Sequence, residues 1–187
     1  GLGSKYYDNE FAHELSDGTS YKFVTRNDIV SRNNIHNIRL GANYIIAPKH
    51  NISFAYTSEI KNTHTTSEDT GDYVAMLNDK SQLHDFRLDY SAPFGLQVGA
   101  EYTYYNAPEE QWLKSGLVKD VYDIASKQRI DKWNVYLKQE HSLGKGWRLN
   151  YGANFTTSRD KSSQDGVGSG SGNDSAQTED QVGFYVG

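Results

Sequence analysis

From Leu96 to Tyr104 the chain alternates without a break: Leu96, Val98, Ala100, Tyr102 and Tyr104 fall on one parity, and Gln97, Gly99, Glu101 and Thr103 on the other. Side chains of an extended strand point to opposite faces with period two, so such a segment builds a sheet that is apolar on one side and polar on the other. The pattern recurs. One parity holds Ile38, Leu40, Ala42 and Tyr44; in the segments that follow it holds Ile52, Phe54 and Tyr56, then Phe86, Leu88 and Tyr90. Further on it holds Trp133, Val135 and Leu137, then Trp147, Leu149, Tyr151, Ala153 and Phe155. None of these apolar faces carries a charge. The opposite parity carries Arg39, Asp85, Arg87, Asp89, Glu101, Lys132, Lys138 and Arg148.

The segments are joined in pairs by tight turns near 47–50, 91–95 and 143–146, where Pro48, Pro93, Gly95, Gly144 and Gly146 supply fixed or positive φ. Between the pairs lie longer polar stretches near 9–32, 61–81, 106–130 and 159–179, which read as loops. Short turns at one end and long connections at the other are the asymmetry of an outer-membrane barrel. The expected fold is therefore all-β, an antiparallel meander of long hairpins over residues 1–187, forming part of a transmembrane β-barrel with about seven strands.

Two environments produce such alternation, a lipid bilayer and the core of a soluble sandwich. Expected spans of about ten residues suit a tilted bilayer crossing better than soluble strands of about five or six. Tyr44, Tyr90, Trp133 and Trp147 lie toward strand ends, where interfacial aromatic girdles form. On this reading Ile38, Leu40, Tyr44, Ile52, Phe54, Tyr56, Phe86, Leu88, Tyr90, Leu96, Val98, Tyr102, Trp133, Val135, Leu137, Trp147, Leu149, Tyr151 and Phe155 face lipid. The eight charged residues of the opposite parity face a hydrated lumen. The alternative is a soluble β-rich binding or adhesion module. No apolar run approaches the roughly 20 residues of a helical span, and a mean hydropathy of −0.77 does not count against strands that show only alternate residues to lipid.

Composition removes other classes. A net charge of −5 lacks the basic footprint of a nucleic-acid-binding domain, and zero Cys rules out disulfide frameworks and thiolate metal sites. His13, His36, His50, His64, His84 and His141 are dispersed without metal-ligand spacing. Glu68-Asp69 and Glu109-Glu110 have no partner that would make them acid/base groups. The glycine-rich run 166–172 lacks the following helix of a phosphate loop and reads as a flexible tip. The expectation is a protein that is not an enzyme, with no catalytic, cofactor-binding or metal residues. One stretch stands apart: 106–130, with Trp112, Leu117, Val118, Val121, Tyr122 and Ile124, reads as a partly helical loop, with Trp112 and Tyr122 as candidate contacts to ligand or a surface partner.

The stretches Asn34–Tyr44, Lys49–Tyr56, Leu88–Phe94 and Asn134–Trp147 resemble the barrel portion of Bacteroidetes-type TonB-dependent receptors and related outer-membrane β-barrels. The resemblance implies a barrel of about 22 strands with a plugged lumen. It further implies TonB-dependent uptake of a nutrient or metal chelate across the bacterial outer membrane. The partners it implies are lipid, the remainder of the barrel, a plug domain and a surface-exposed lipoprotein. No plug, energy-coupling box or terminal strand ending in an aromatic residue is visible in the sequence.

Overall fold

A computed structural model describes residues 1–14, 18, 20–69, 73–115, 122–144, 146–167 and 172–187. Its strands are β1 (Leu2–Glu14), β2 (Ser20–Ala47), β3 (His50–Asp69), β4 (Tyr73–Ser91), β5 (Leu96–Ser115), β6 (Tyr122–Gly144), β7 (Trp147–Val167) and β8 (Asn173–Val186). They pair in sequence order as one antiparallel meander, so every strand lies beside its chain neighbours. A short 3₁₀ turn, Pro93–Gly95, is the one helical element among the described residues.

The alternating segments are the ends of these strands nearest the tight turns. Their register places equal parities on one face: Ala42 stands beside Phe54, Phe54 beside Leu88, Leu88 beside Ala100, Ala100 beside Val135, and Val135 beside Phe155. A slip of one residue anywhere would turn a whole strand over and break this row. The turns fix the register. Register shifts next to the turns fall between Ile45 and Ala47 and between Ser142 and Gly144, while Lys49, Gly144 and Gly146 take positive φ. At the second turn, between β4 and β5, Phe94 and Gly95 have φ of 71° and 76°. A side chain on Gly95 would run into the Glu140 carbonyl, and the Gln139 amide donates to the Phe94 carbonyl, tying the turn to β6.

The sheet differs from the sequence reading in extent. Eight strands replace about seven, and the stretches read as long loops are largely strand: 9–14 and 20–32, 61–69 and 73–81, 106–115 and 122–130, and 159–167 and 173–179. Strands of 13 to 28 residues continue far past the alternating segments. The physical reason is that alternation records a difference between the two environments flanking a sheet, and where both faces meet water the strand carries no such record. The remainders of those loops, 15–17 and 19, 70–72, 116–121 and 168–171, lie outside the described residues.

Among the described residues no hydrophobic side chain is buried. A soluble domain of this length buries about 70% of its unfolded surface around a core. This sheet is a single layer. Ile38, Leu40, Tyr44, Phe54, Leu88, Trp133, Val135 and Leu137 are all exposed on it.

Candidate functional site

The two faces of the sheet have different chemistry, and each is organised along the strand direction. On the apolar face an aliphatic band runs through Phe54, Leu88, Ala100, Val135 and Phe155, and beside it through Ile52, Val98, Leu137 and Ala153. On the side away from the tight turns the band ends in a row of rings, Tyr56, Phe86, Tyr102 and Trp133. Tyr56 and Phe86 are 4.7 Å apart and Tyr102 and Trp133 4.6 Å apart, centroid to centroid.

The tyrosine hydroxyls point out of the band at both limits. Tyr56 Oη lies 2.9 Å from His84 Nδ1, and Tyr102 Oη donates to Asp131 Oδ1 at 2.8 Å; both partners belong to the next row outward. Toward the turns Tyr90 Oη meets His50 Nδ1 at 2.7 Å and Tyr151 Oη meets His141 Nε2 at 3.1 Å. From His50 to the row containing Ser58 and His84 is eight residues of β3. At roughly 3.3 Å per residue that is about 26 Å along the strand, and at a barrel tilt of about 40° it becomes about 20 Å in height. Sequence reading named Tyr90 and Trp133 for the girdles but missed the role of His50, His84, Asp131 and His141. A polar residue on an apolar parity, just outside the band and next to a tyrosine on the neighbouring strand, is the signal that could have found them.

The eight charged residues expected on the opposite face share it by register, and Asp85, Arg87, Asp89 and Arg148 are bonded there. Arg87 stands opposite Glu101, and its Nε donates to Asp89 Oδ2 at 2.7 Å. Tyr136 donates to Asp89 and accepts from Arg87 Nη2 at 3.5 Å. The Tyr136 ring lies over Gly99, where a Cβ would strike it, so the absent side chain at 99 makes room for the ring. Thr103 Oγ1 donates to Asp85 Oδ2 at 2.8 Å, and Arg148 pairs with Glu140 at 3.8 Å.

Farther from the turns the same face opens into a polar groove of about 440 Å³, lined by Asp79, Tyr105, Glu109, Ser126, Gln128, Ser162, Gln164, Asn173 and Ser175 among others. Lys61 pairs with Asp79 at 3.3 Å, Gln111 donates to Glu109, Gln128 donates to Asp160 at 3.0 Å, and Ser162 meets Ser175 at 2.7 Å. This array of polar groups, with Lys127 among them, can hydrogen-bond a polar solute. It offers no nucleophile–base pair. Nor does any group of three or more His, Asp or Glu side chains among the described residues form a cage for a metal ion.

Trp112 and Tyr122 do not belong to a helical loop. Trp112 pairs with Asp123 and Tyr122 with Leu113 in the β5–β6 ladder, and Lys114 Nζ sits 4.7 Å from the Trp112 ring centroid. The apolar content that suggested a helix is explained by strand preference, since aromatic and branched residues favour extended backbone. Leu117, Val118 and Val121 lie outside the described residues. Beyond the apolar band, Arg26 Nε bonds Asp8 at 3.0 Å, and this hydrogen bond together with the Arg26 charge holds the Asp8 carboxyl below the usual carboxylate range.

No protein-family model matches the chain, and no curated protein matches it. Solved structures do. The crystal structure of the ferric yersiniabactin uptake receptor FyuA from Yersinia pestis superposes with a TM-score of 0.59 at 11% identity, over 89% of this chain and 26% of that one. The ferric citrate transporter FecA in its unliganded form gives 0.54 at 15% identity, over 99% and 30%. The siderophore receptor PiuA from Acinetobacter baumannii gives 0.58 at 12% identity, over 87% and 30%. The chain thus has the fold of a stretch of those receptors, and it spans less than a third of the length of each.

Proposed function

We propose that this chain is a section of the wall of a bacterial outer-membrane receptor barrel for TonB-dependent uptake of a nutrient or metal chelate. The observation that carries this reading is the absence of any buried hydrophobic side chain among the described residues, combined with an apolar band on one face bounded by outward-pointing tyrosine hydroxyls. In water that band would be a large exposed apolar patch; in a bilayer it meets hydrocarbon and its hydroxyls meet the interfaces. The soluble adhesion module, by contrast, requires a core that the single sheet lacks.

The residues named above for lipid occupy that band and its rims, and Arg39, Asp85, Arg87, Asp89, Glu101, Lys132, Lys138 and Arg148 face the lumen. The Arg87–Asp89–Tyr136 cluster lies toward the short turns, on the periplasmic side, where a plug domain would dock. The groove around Glu109 and Gln128 lies toward the external mouth, where a solute would first be held. β1 meets β2 only down to Arg32, with Gly1 bonded to Asn33, so the rest of β2 offers a free edge. Unpaired backbone groups in hydrocarbon cost several kcal/mol each, which calls for further strands alongside. The Bacteroidetes type and the lipoprotein partner rest on the sequence resemblance alone; the similar receptors with a stated source come from Yersinia pestis and Acinetobacter baumannii.

Gene deletion followed by complementation tests the reading, with uptake of labelled ferric chelates, cobalamin and oligosaccharides as the assay. Deletion is expected to abolish uptake of one compound class, and the wild-type protein to restore it. Gln128→Trp, which fills the groove, is expected to slow the restored uptake at least about tenfold, as when contacts worth about 1.4 kcal/mol are lost. Unchanged uptake of every compound in the deletion strain contradicts the proposal.

A further inference from the structure

Just beyond the row of rings, on the face that carries the apolar band, the sequence sets four cations on two adjacent strands. Lys127 and Arg129 belong to β6, Arg159 and Lys161 to β7, and together with Ser163 and Asp174 they line an open groove of about 560 Å³. Arg129 stands directly opposite Lys161, and Arg159 stands opposite Asp131. Like charges paired directly across strands are destabilising unless something compensates them. Arg129 is held by Asp131 at 2.9 Å, whereas Lys127, Arg159 and Lys161 make no salt bridge among the described residues. Asp174 and Asp180 are the other acids beside the groove on this face, and Asp165 and Asp123 stand one and two rows beyond Lys127; within the groove's own rows four cations face three acids, in a chain whose net charge is −5.

The height of the cluster is as informative as its charge. Arg159 lies one row above Trp133 and Lys161 two rows above it, about 7 and 13 Å along the strands. A strand tilt of about 40° brings those distances to roughly 5 and 10 Å above the aromatic row. At the same two levels β3, β4 and β5 carry Ser58, Ile60, Gln82, His84, Tyr104 and Asn106, with no acid or permanent cation. At these levels the cations are therefore local to β6 and β7, and on the lipid-facing reading they stand at headgroup height.

We infer that this groove binds the phosphate of an anionic lipid headgroup in the outer leaflet, with Arg159 and Lys161 as principal ligands and Arg129, oriented by Asp131, completing the site. The inference rests on the proposed lipid-facing assignment. A phosphate between Arg129 and Lys161 turns a repulsive cross-strand pair into a bridged one, and the neighbouring band accepts the acyl chains of the same molecule.

The test uses the full protein reconstituted into phosphatidylcholine vesicles containing a minor fraction of bisphosphorylated lipid A, with a spin-labelled form of that lipid reporting association. Wild type is expected to retain lipid A over phosphatidylcholine. Arg159→Gln/Lys161→Gln is expected to lose that preference by roughly 25-fold, a factor of about five for each cation. Arg159→Lys/Lys161→Arg is expected to keep most of it, as is Lys132→Gln/Lys138→Gln on the opposite face. Equal preference in wild type and the Gln double variant overturns the inference, and so does displacement of the lipid by inorganic phosphate at equal concentration, which would mark a site for the free anion. Oxygen accessibility of a spin label at position 135, measured on the same vesicles, separates the failures: lipid contact there with no lipid A preference sinks this inference alone, and no lipid contact sinks the receptor reading with it.

Discussion

Val135→Arg is expected to lower the folding stability of the full protein in bilayers by about 2–4 kcal/mol, the cost of a guanidinium at mid-depth on a lipid-facing strand. Val135 sits in the central row of the apolar band, between Ala100 and Phe155, and no polar group stands beside it in that row. Two companion substitutions make the result specific. Asn134→Arg places the same charge one residue away but on the polar face, where Glu101 stands opposite, and is expected to cost no more than about 0.5 kcal/mol. Ile60→Arg lies on the apolar-band face but beyond the ring row, and is expected to cost about 0–1 kcal/mol because the side chain reaches headgroups or water. Unfolding titrations in denaturant of the three variants in the same lipid supply the comparison. A uniform cost at all three positions would show that the introduced charge itself, and not the medium around each position, sets the penalty.

Gly152→Val is expected to destabilise the protein by about 1–3 kcal/mol through overpacking at a place where backbone, not only side chain, stands in the way. Gly152 is paired with Lys138 on β6 and Tyr185 on β8. A Cβ there would stand 2.6 Å from Tyr185 Oη and 2.7 Å from Tyr185 Cε1, and it would also strike the Leu137 carbonyl oxygen. The tyrosine can swing away; the carbonyl cannot move without separating β6 from β7. Gly41→Ala is the control, since its nearest neighbour would be the Phe54 carbonyl oxygen at 3.7 Å, an ordinary contact. Removing a strand glycine at such a site is expected to stabilise by about 0.5–1 kcal/mol. Equal and small effects of both substitutions in denaturant titrations would mean that the β6–β7–β8 packing is looser than the register implies.

The legible part of this fold is the part whose two faces differ in chemistry. Leu96–Tyr104 announces its parity because Val98, Ala100 and Tyr102 stand in the apolar band while Gly99 and Glu101 stand among the charged groups of the opposite face. Residues 61–69 and 106–115 are as extended as Leu96–Tyr104, yet Asn62, His64 and Glu68 on one parity differ little in polarity from Lys61, Thr63 and Thr65 on the other. Nothing in such a run distinguishes strand from loop by period, and so the expected loops shrank to the few residues between strands. The candidate site suffered in the same way. Arg87, Asp89 and Glu101 were readable because they sit opposite an apolar parity, whereas Asp79, Glu109 and Gln128 lie in the aqueous extension and become neighbours only through register. His84 and His141 hid for a different reason: their meaning depends on Tyr56 and Tyr151, which lie 28 and 10 residues away in the chain.

This chain has no Cys, so within it a single introduced cysteine carries the label alone. Single cysteines placed in turn at positions 131 through 139 of β6, in the full protein reconstituted into phospholipid vesicles, can each carry a nitroxide whose collisions with oxygen and with a water-soluble nickel chelate are measured. Oxygen, which concentrates in hydrocarbon, is expected to dominate at 133, 135 and 137, and the nickel chelate at 132, 134, 136 and 138, with a period of two residues. Nickel access equal on both parities, or oxygen collisions with no period at 133–137, would contradict the claim that acyl chains cover the face bearing Phe54, Leu88 and Val135.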